Sequence, residues 1–193
     1  APMSTDEPWT GKYTFNTPGN GWEKPEFNDK KWDVAEAAFG TPDETNVKTL
    51  WQTKDIWVRR DIEINKEKTG NKKLFLKYSH DDTFELYVNG IEVVKTGYVW
   101  RKDVIKELPV EVINSIKDNK LTIAAHCNNR TGGALVDFGI YVEADEEKQF
   151  EQVAEQKSVD VQATQTHYVF QCGPVQLELS FLAPLLIDNL ELV

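Results

Sequence analysis

Asp81 and Asp82 are adjacent carboxylates at the head of an alternating apolar stretch. Two carboxyl groups about 5–10 Å apart can serve as acid and base on a glycosidic bond. Successive strand residues point to opposite faces, which suits two groups facing one substrate poorly. The pair therefore reads as a support for the turn that follows. His80, His126 and His167 lie far apart, and no Ser-His-Asp order with a nucleophile-elbow glycine pattern accompanies them. His126 sits inside the apolar run Leu121–Cys127 and needs a local hydrogen-bond partner, the reading of a structural histidine. Arg59 and Arg60 follow Trp57. They read as one exposed arginine and one paired with an acid or stacked on an aromatic, with Arg59 a candidate ligand contact.

The most site-like stretch is Asn128-Asn129-Arg130-Thr131-Gly132-Gly133. Amide and guanidinium groups pair bidentately with hydroxyls, and glycines admit a ligand close to the backbone. Tyr98 and Trp100 are candidate stacking platforms for a sugar ring. The bland alternative is a turn stabilised by its own Asn side chains. Asn128, Asn129, Arg130, Trp100, Tyr98 and Arg59 are the candidate ligand-binding residues.

The elements that would hold these groups are short strands. Phe84, Leu86 and Val88 alternate with Glu85 and Tyr87, then Asn89-Gly90 precedes the apolar run Ile91–Val94. Asn-Gly between two such runs predicts a hairpin with a type I′ turn. Strands are predicted near Lys12–Phe15, Trp51–Ile64, Leu74–Tyr78, Trp100–Val104, Leu121–Cys127 and Ala134–Val142. Val34–Phe39 reads as a short strand or one helical turn, and Leu108–Ile116 as a short helix or loop. Short strands separated by turn clusters predict an all-β fold, an antiparallel β-sandwich.

Composition shifts at Glu143. Residues 145–157 are acidic and Gln-rich, and residues 144–165 read as a helix or linker. Beyond them, His167–Phe170, Val175–Phe181 and Leu185–Leu192 read as further strands. The chain starts abruptly at Ala1-Pro2-Met3 and stops at Leu192-Val193 inside an apolar segment, so it reads as a piece of a longer protein.

With 32 acidic against 22 basic residues, no basic stripe exists to displace counterions, which argues against nucleic acid and anionic membrane surfaces. No run of about 20 apolar residues is present to span a bilayer. Cys127 and Cys172 lie in separate apolar runs, so two buried free thiols are the main reading and a disulfide the alternative in an exported protein.

The order of Asn28-Asp-Lys-Lys-Trp32, Trp57-Val-Arg-Arg60, Leu74-Phe-Leu76, Asp81-Asp-Thr-Phe-Glu-Leu-Tyr-Val-Asn-Gly90, Gly97-Tyr98 and Gly132-Gly133 resembles the galactose-binding-like domain at the front of family-2 glycoside hydrolases. The resemblance covers roughly residues 8–143 and implies a jelly-roll β-sandwich that is usually non-catalytic. It also implies a weak Ca²⁺ candidate at Asn28, Asp29 and Asp33, although Ca²⁺ takes about 6 to 8 oxygen ligands. The tail, Thr166 to Leu190, with Gly173-Pro174-Val175, Phe181-Leu-Ala-Pro184 and Asp188-Asn-Leu190, resembles the start of the conserved β domain of the glutaminase A-like family.

The expected organisation is a sandwich over 1–143, a helix or linker over 144–165, and the first strands of a truncated β domain over 166–193. The edges of those last strands are expected to be unpaired or borrowed. The expected function is a non-catalytic, carbohydrate-binding-like module of a larger exported bacterial hydrolase, periplasmic or extracellular, with no cofactor required and with neighbouring domains of the same polypeptide as partners. The alternative is a purely structural module without sugar binding, and the weakest reading is a hydrolase in its own right.

Overall fold

Asn89 and Gly90 both take positive φ, 50° and 81°, as a type I′ turn requires. They close a hairpin from Thr83–Val88 to Ile91–Lys95. In the first of these strands Phe84, Leu86 and Val88 are buried while Thr83, Glu85 and Tyr87 are half-buried, so the period of two separates core from face.

The computed structural model describes residues 1–65 and 69–144, and the backbone of strands at 160–164, 167–172 and 175–180. The chain divides into two compact units, Ala1–Glu143 and Ala144–Val193. The strands of the first unit are β1 (Thr10–Thr14), β2 (Asp33–Glu36), β3 (Phe39–Gly40), β4 (Thr49–Leu50), β5 (Asp55–Glu63), β6 (Leu74–Asp81), β7 (Thr83–Val88), β8 (Ile91–Lys95), β9 (Arg101–Glu107), β10 (Lys120–Asn128) and β11 (Leu135–Val142). One helix, α1 (Val110–Ser115), joins β9 to β10. They form a six-stranded sheet, β2-β1-β5-β10-β7-β8, and a five-stranded sheet, β4-β3-β11-β6-β9. Neighbours are antiparallel except for β3 and β4. The core between the sheets includes Phe39, Trp51, Leu76, Phe84, Leu86 and Phe138, all essentially sealed from solvent. This is the all-β sandwich expected from the alternation.

Boundaries moved where a distant segment covers a strand. In β5 the alternation placed Ile56, Val58, Arg60 and Ile62 on one face and Trp57, Arg59, Asp61 and Glu63 on the other. Both faces are buried over Ile56–Arg60, because residues 22–29 fold across the outer face. One arginine was expected to be exposed. Arg59 and Arg60 are instead 3% and 9% exposed. Arg60 turns inward, donates to the carbonyls of Pro2 at 2.8 Å and Phe138 at 3.2 Å, and stacks over Trp9. Burial pulls its guanidinium down to about 10.

The first residues run beside β11 and over the outer face of the five-stranded sheet. Ile140 N–H donates to the Ala1 carbonyl at 2.8 Å, and the Ser4 hydroxyl donates to Asp137 at 2.7 Å. A Cβ at Gly139 would strike the Pro2–Met3 backbone, so glycine there permits the crossing.

In the second unit β12 (Asp160–Thr164), β13 (His167–Cys172) and β14 (Val175–Ser180) make an antiparallel three-stranded sheet. Strand β12 lies within the stretch read as helix or linker, so residues 160–164 correct that reading. They find their partner in β13, with Asp160 opposite Gln171. The proposed helix over 145–157 and the strand over 185–192 lie outside the described residues. Cys127 is a free, buried thiol, and burial pushes it well up.

Candidate functional site

The loop after β10 is built on one carboxylate. Asp82 sits between β6 and β7 and is 5% exposed. Its Oδ2 accepts the backbone N–H of Arg130 at 2.8 Å and of Thr131 at 3.4 Å. The loop's far side is tied to residues 41–44. Thr41 N–H donates to the Ala134 carbonyl and Ala134 N–H to the Thr41 hydroxyl, both at 2.9 Å. Gly132 takes φ of 85° between these anchors.

Asp81 and Asp82 were expected to point apart. Their carboxyls share a hydrogen bond instead, because Asp82 lies past the end of β6, where strand alternation no longer governs direction. Burial, then that hydrogen bond and the charges of Asp82 and Glu44, push the Asp81 carboxyl up to about 7. The pair serves as an anchor for the loop and the β6–β7 junction.

The structure brings Tyr98 and Arg130 together. The Arg130 guanidinium lies 5.3 Å from the Tyr98 ring centroid, and the Tyr98 and Thr131 hydroxyls are 3.0 Å apart. Tyr98 is 58% and Trp100 51% exposed on the β8–β9 connection. Asn129 N–H donates to the Lys54 carbonyl at 2.8 Å and its Nδ2 reaches the Gly132 carbonyl at 3.5 Å. Its Oδ1 is buried with no hydrogen-bond partner among the described residues.

Other candidates fall elsewhere. Asn128 turns from the loop and donates to Asp55 Oδ1 at 2.7 Å. Arg59 is withdrawn from any ligand. Its Nε donates to Asp29 Oδ2 at 2.8 Å, its Nη1 donates to the Trp22 carbonyl, and its guanidinium lies over Phe27. The other oxygen of Asp29 takes Lys12 Nζ at 2.5 Å. Burial alone would raise the Asp29 carboxyl, but the bonds from Lys12 and Arg59 outweigh it and hold it below the usual range. Both oxygens of this proposed Ca²⁺ ligand already face cations. Asn28 Oδ1 accepts the Lys30 N–H at 3.3 Å in a turn, and Asp33 is exposed at the start of β2. Among the described residues no group of three or more His, Cys, Asp or Glu side chains converges as a metal site. A Ca²⁺ ion at Asn28, Asp29 and Asp33 would compete with Lys12 and Arg59 for the Asp29 carboxylate.

His80 is fully buried, stacks on Phe84 at 4.7 Å and donates from Nδ1 to the Asp82 carbonyl at 2.9 Å. Burial drops it to about 4, so it is neutral. His126 lies flat on Trp57, 4.4 Å between centroids and 7° between planes. Its Nε2 is 2.9 Å from Asp55 and its Nδ1 3.2 Å from Glu85. This cluster escaped the sequence reading because Trp57, His126 and Glu85 become neighbours only through strand register. The side chain of His167 lies outside the described residues.

No protein-family model and no curated protein matches the chain. Solved structures match it. A glycosyl hydrolase family 2 member from Bacteroides cellulosilyticus DSM 14838 superposes with a TM-score of 0.51 at 14% identity, over 83% of this chain and 23% of that one. The chain shares a β-sandwich fold found within that hydrolase. A beta-glycosidase from Bacteroides vulgatus gives 0.50 at 16% identity over 83% and 22%. A beta-glucuronidase from Ruminococcus gnavus, in complex with N1-substituted uronic isofagomine, gives 0.50 at 15% identity over 87% and 33%. The chain thus spans a third or less of each of these hydrolases. Among the described residues no helix is long and apolar enough to cross a membrane.

Proposed function

We propose that the chain is a non-catalytic, carbohydrate-binding-like module of a larger, exported bacterial glycoside-hydrolase-like protein. The observation that carries this reading is the pairing of exposed Tyr98 with Arg130, on a loop fixed in advance by Asp82. An exposed ring offers a face to sugar C–H groups, a guanidinium offers paired donors to hydroxyls, and a loop anchored before binding loses little entropy on binding. Asn129 Oδ1, a buried acceptor in the same loop, lacks only a donor. The carboxylate pair, the one arrangement that resembled acid–base machinery, is engaged in holding this loop, which favours a non-catalytic role. The tail's resemblance to the glutaminase A-like β domain supports a second domain beginning near residue 166.

The test is binding of the 193-residue chain to a glycan array, followed by titration calorimetry. Binding lost in Tyr98→Ala and Trp100→Ala, with unchanged melting temperature, supports the reading. No binding to any glycan overturns it in favour of a structural module, whose exposed Tyr98 and Trp100 would pack on a neighbouring domain. Turnover of an aryl glycoside or a glutamine analogue by the purified chain would overturn the non-catalytic assignment.

A further inference from the structure

A concavity lies on the outer face of the five-stranded sheet, beside the N-terminal segment. It has a volume of about 310 Å³. Its lining includes the apolar residues Met3, Ala38 and Leu135, which are 1%, 1% and 6% exposed. Ser79 of β6 and Lys102 and Asp103 of β9 also line it, together with Asn46 of the β3–β4 connection.

The cavity wall on the β9 side is made by a bulge. Tyr78 pairs with Val104 and His80 with Arg101, so Lys102 and Asp103 together stand opposite the single residue Ser79. A bulge of this kind re-aims side chains and is common beside binding sites. Asp103 takes φ of 53°, donates its N–H to the Ser79 hydroxyl at 2.9 Å, and its carboxylate pairs with Lys77 at 3.2 Å. Asn46, also in the lining, takes φ of 64°. Non-glycine residues held in the left-handed region are uncommon and concentrate at ligand clamps.

We propose that this cavity binds one neutral pyranose ring, as a site separate from the Tyr98–Arg130 surface. Met3, Ala38 and Leu135 form a nearly sealed floor, so the ring is held chiefly by the polar groups around it. The lining then supplies donors and acceptors of both kinds: the Ser79 hydroxyl proton, the amide of Asn46, the ammonium of Lys102 and the second oxygen of Asp103. Of the charged lining residues Asp137 is buried and already bonded to Ser4 and Trp9, which leaves Lys77 and Lys102 against Asp6 and Asp103. A neutral polyol meets each group with a hydroxyl, whereas a sugar acid or an amino sugar meets one like charge. Lys102 has no ion-pair or hydrogen-bond partner among the described residues, so a ligand would gain that donor without breaking an existing bond. This inference does not depend on the loop surface binding sugar.

Amide NMR of the 193-residue chain titrated with D-glucose, D-galactose, glucuronate and glucosamine tests it. The expected result is that a neutral hexose shifts the amides of Asn46, Ser79 and Asp103, and that glucuronate and glucosamine bind more weakly. Lys102 and Thr45, which also lines the cavity, are exposed and carry no side-chain hydrogen bond or ion pair among the described residues, so Lys102→Ala and Thr45→Ala should leave the fold intact. Lys102→Ala should weaken the hexose about tenfold, the loss expected for one charge-assisted hydrogen bond, and Tyr98→Ala should leave it unchanged. Silence of these amides with both hexoses, stronger binding of either charged sugar, or unchanged affinity in both Lys102→Ala and Thr45→Ala would overturn the site. Silence here with sugar binding abolished by Tyr98→Ala would sink this cavity alone and leave the loop assignment standing. Hexose shifts at this cavity in Tyr98→Ala and wild type alike, with no loop response, would do the reverse.

Discussion

The carboxylate of Asp82 accepts the backbone N–H of Arg130 at 2.8 Å. This bond, with a longer one to Thr131, orients the loop that carries the proposed sugar surface. Asp82→Ala leaves these N–H groups without their acceptor and should cost about 1–3 kcal/mol. Asp82→Asn keeps an oxygen and should cost less. Hydrogen exchange at Arg130 and Thr131 should speed up in the alanine variant before global unfolding does. Equal exchange in both variants and wild type would show that Asp82 does not hold the loop.

Two groups in this corner titrate in opposite senses. Asp81 is pushed up to about 7 and His80 down to about 4. Between about pH 4 and 7 the folded chain keeps a proton on Asp81 that the unfolded chain has released, so this group makes stability fall as pH rises. Between about pH 4 and 6.5 the unfolded chain carries a proton on His80 that the folded chain has shed, so this group makes stability rise with pH. These two contributions should therefore largely offset each other over roughly pH 4.5–6.5. Asp81→Asn should gain a positive slope and His80→Gln a negative one. Urea midpoints across this range would decide it, and parallel curves for all three proteins would refute the opposition.

The hairpin and sandwich were legible because their signals are local: Asn89-Gly90 names its own turn, and Phe84, Leu86 and Val88 name their own face. Arg59 was misread because its cover comes from residues 22–29, 30 positions upstream at Asp29 and 37 at Trp22. Only the folded chain shows that distance closed. The side-chain directions of Asp81 and Asp82 were misread for a related reason. Alternation holds inside a strand, and Asp82 lies just beyond one. The proposed hexose cavity left no pattern to find, since its wall depends on a register shift between β6 and β9.

Arg59 should be far more sensitive than its place among sequence candidates suggested. Arg59→Met removes a buried partner from Asp29 and a donor from the Trp22 carbonyl, and should cost on the order of 3 kcal/mol. Arg59→Lys should not restore the loss, since one ammonium does not reproduce the guanidinium fork. Hydrogen exchange over residues 22–29 should report the local detachment. A variant as stable as wild type by urea unfolding would mean that the segment is held by its aromatic contacts alone.

Asn89 separates two roles that a turn residue usually confounds. Its backbone sits at φ of 50°, which glycine accepts more readily than any other residue. Its side chain also ties the hairpin to neighbouring elements. Nδ2 donates to the hydroxyl of Ser115, in α1's last turn, at 3.0 Å, and Oδ1 accepts the Thr122 N–H of β10 at 2.8 Å. If the turn alone mattered, Asn89→Gly would be neutral or stabilising. Because the side chain bridges α1 and β10, Asn89→Gly should instead cost about 1–2 kcal/mol, the net worth of its hydrogen bonds plus an exposed or unpaired Thr122 N–H. Asn89→Ala should cost about 1 kcal/mol more again, since alanine loses the same bonds and adds left-handed strain. Equilibrium urea unfolding of the three proteins measures both steps. A glycine variant matching wild type would reduce Asn89 to a turn former, and an alanine variant matching the glycine one would remove the backbone contribution.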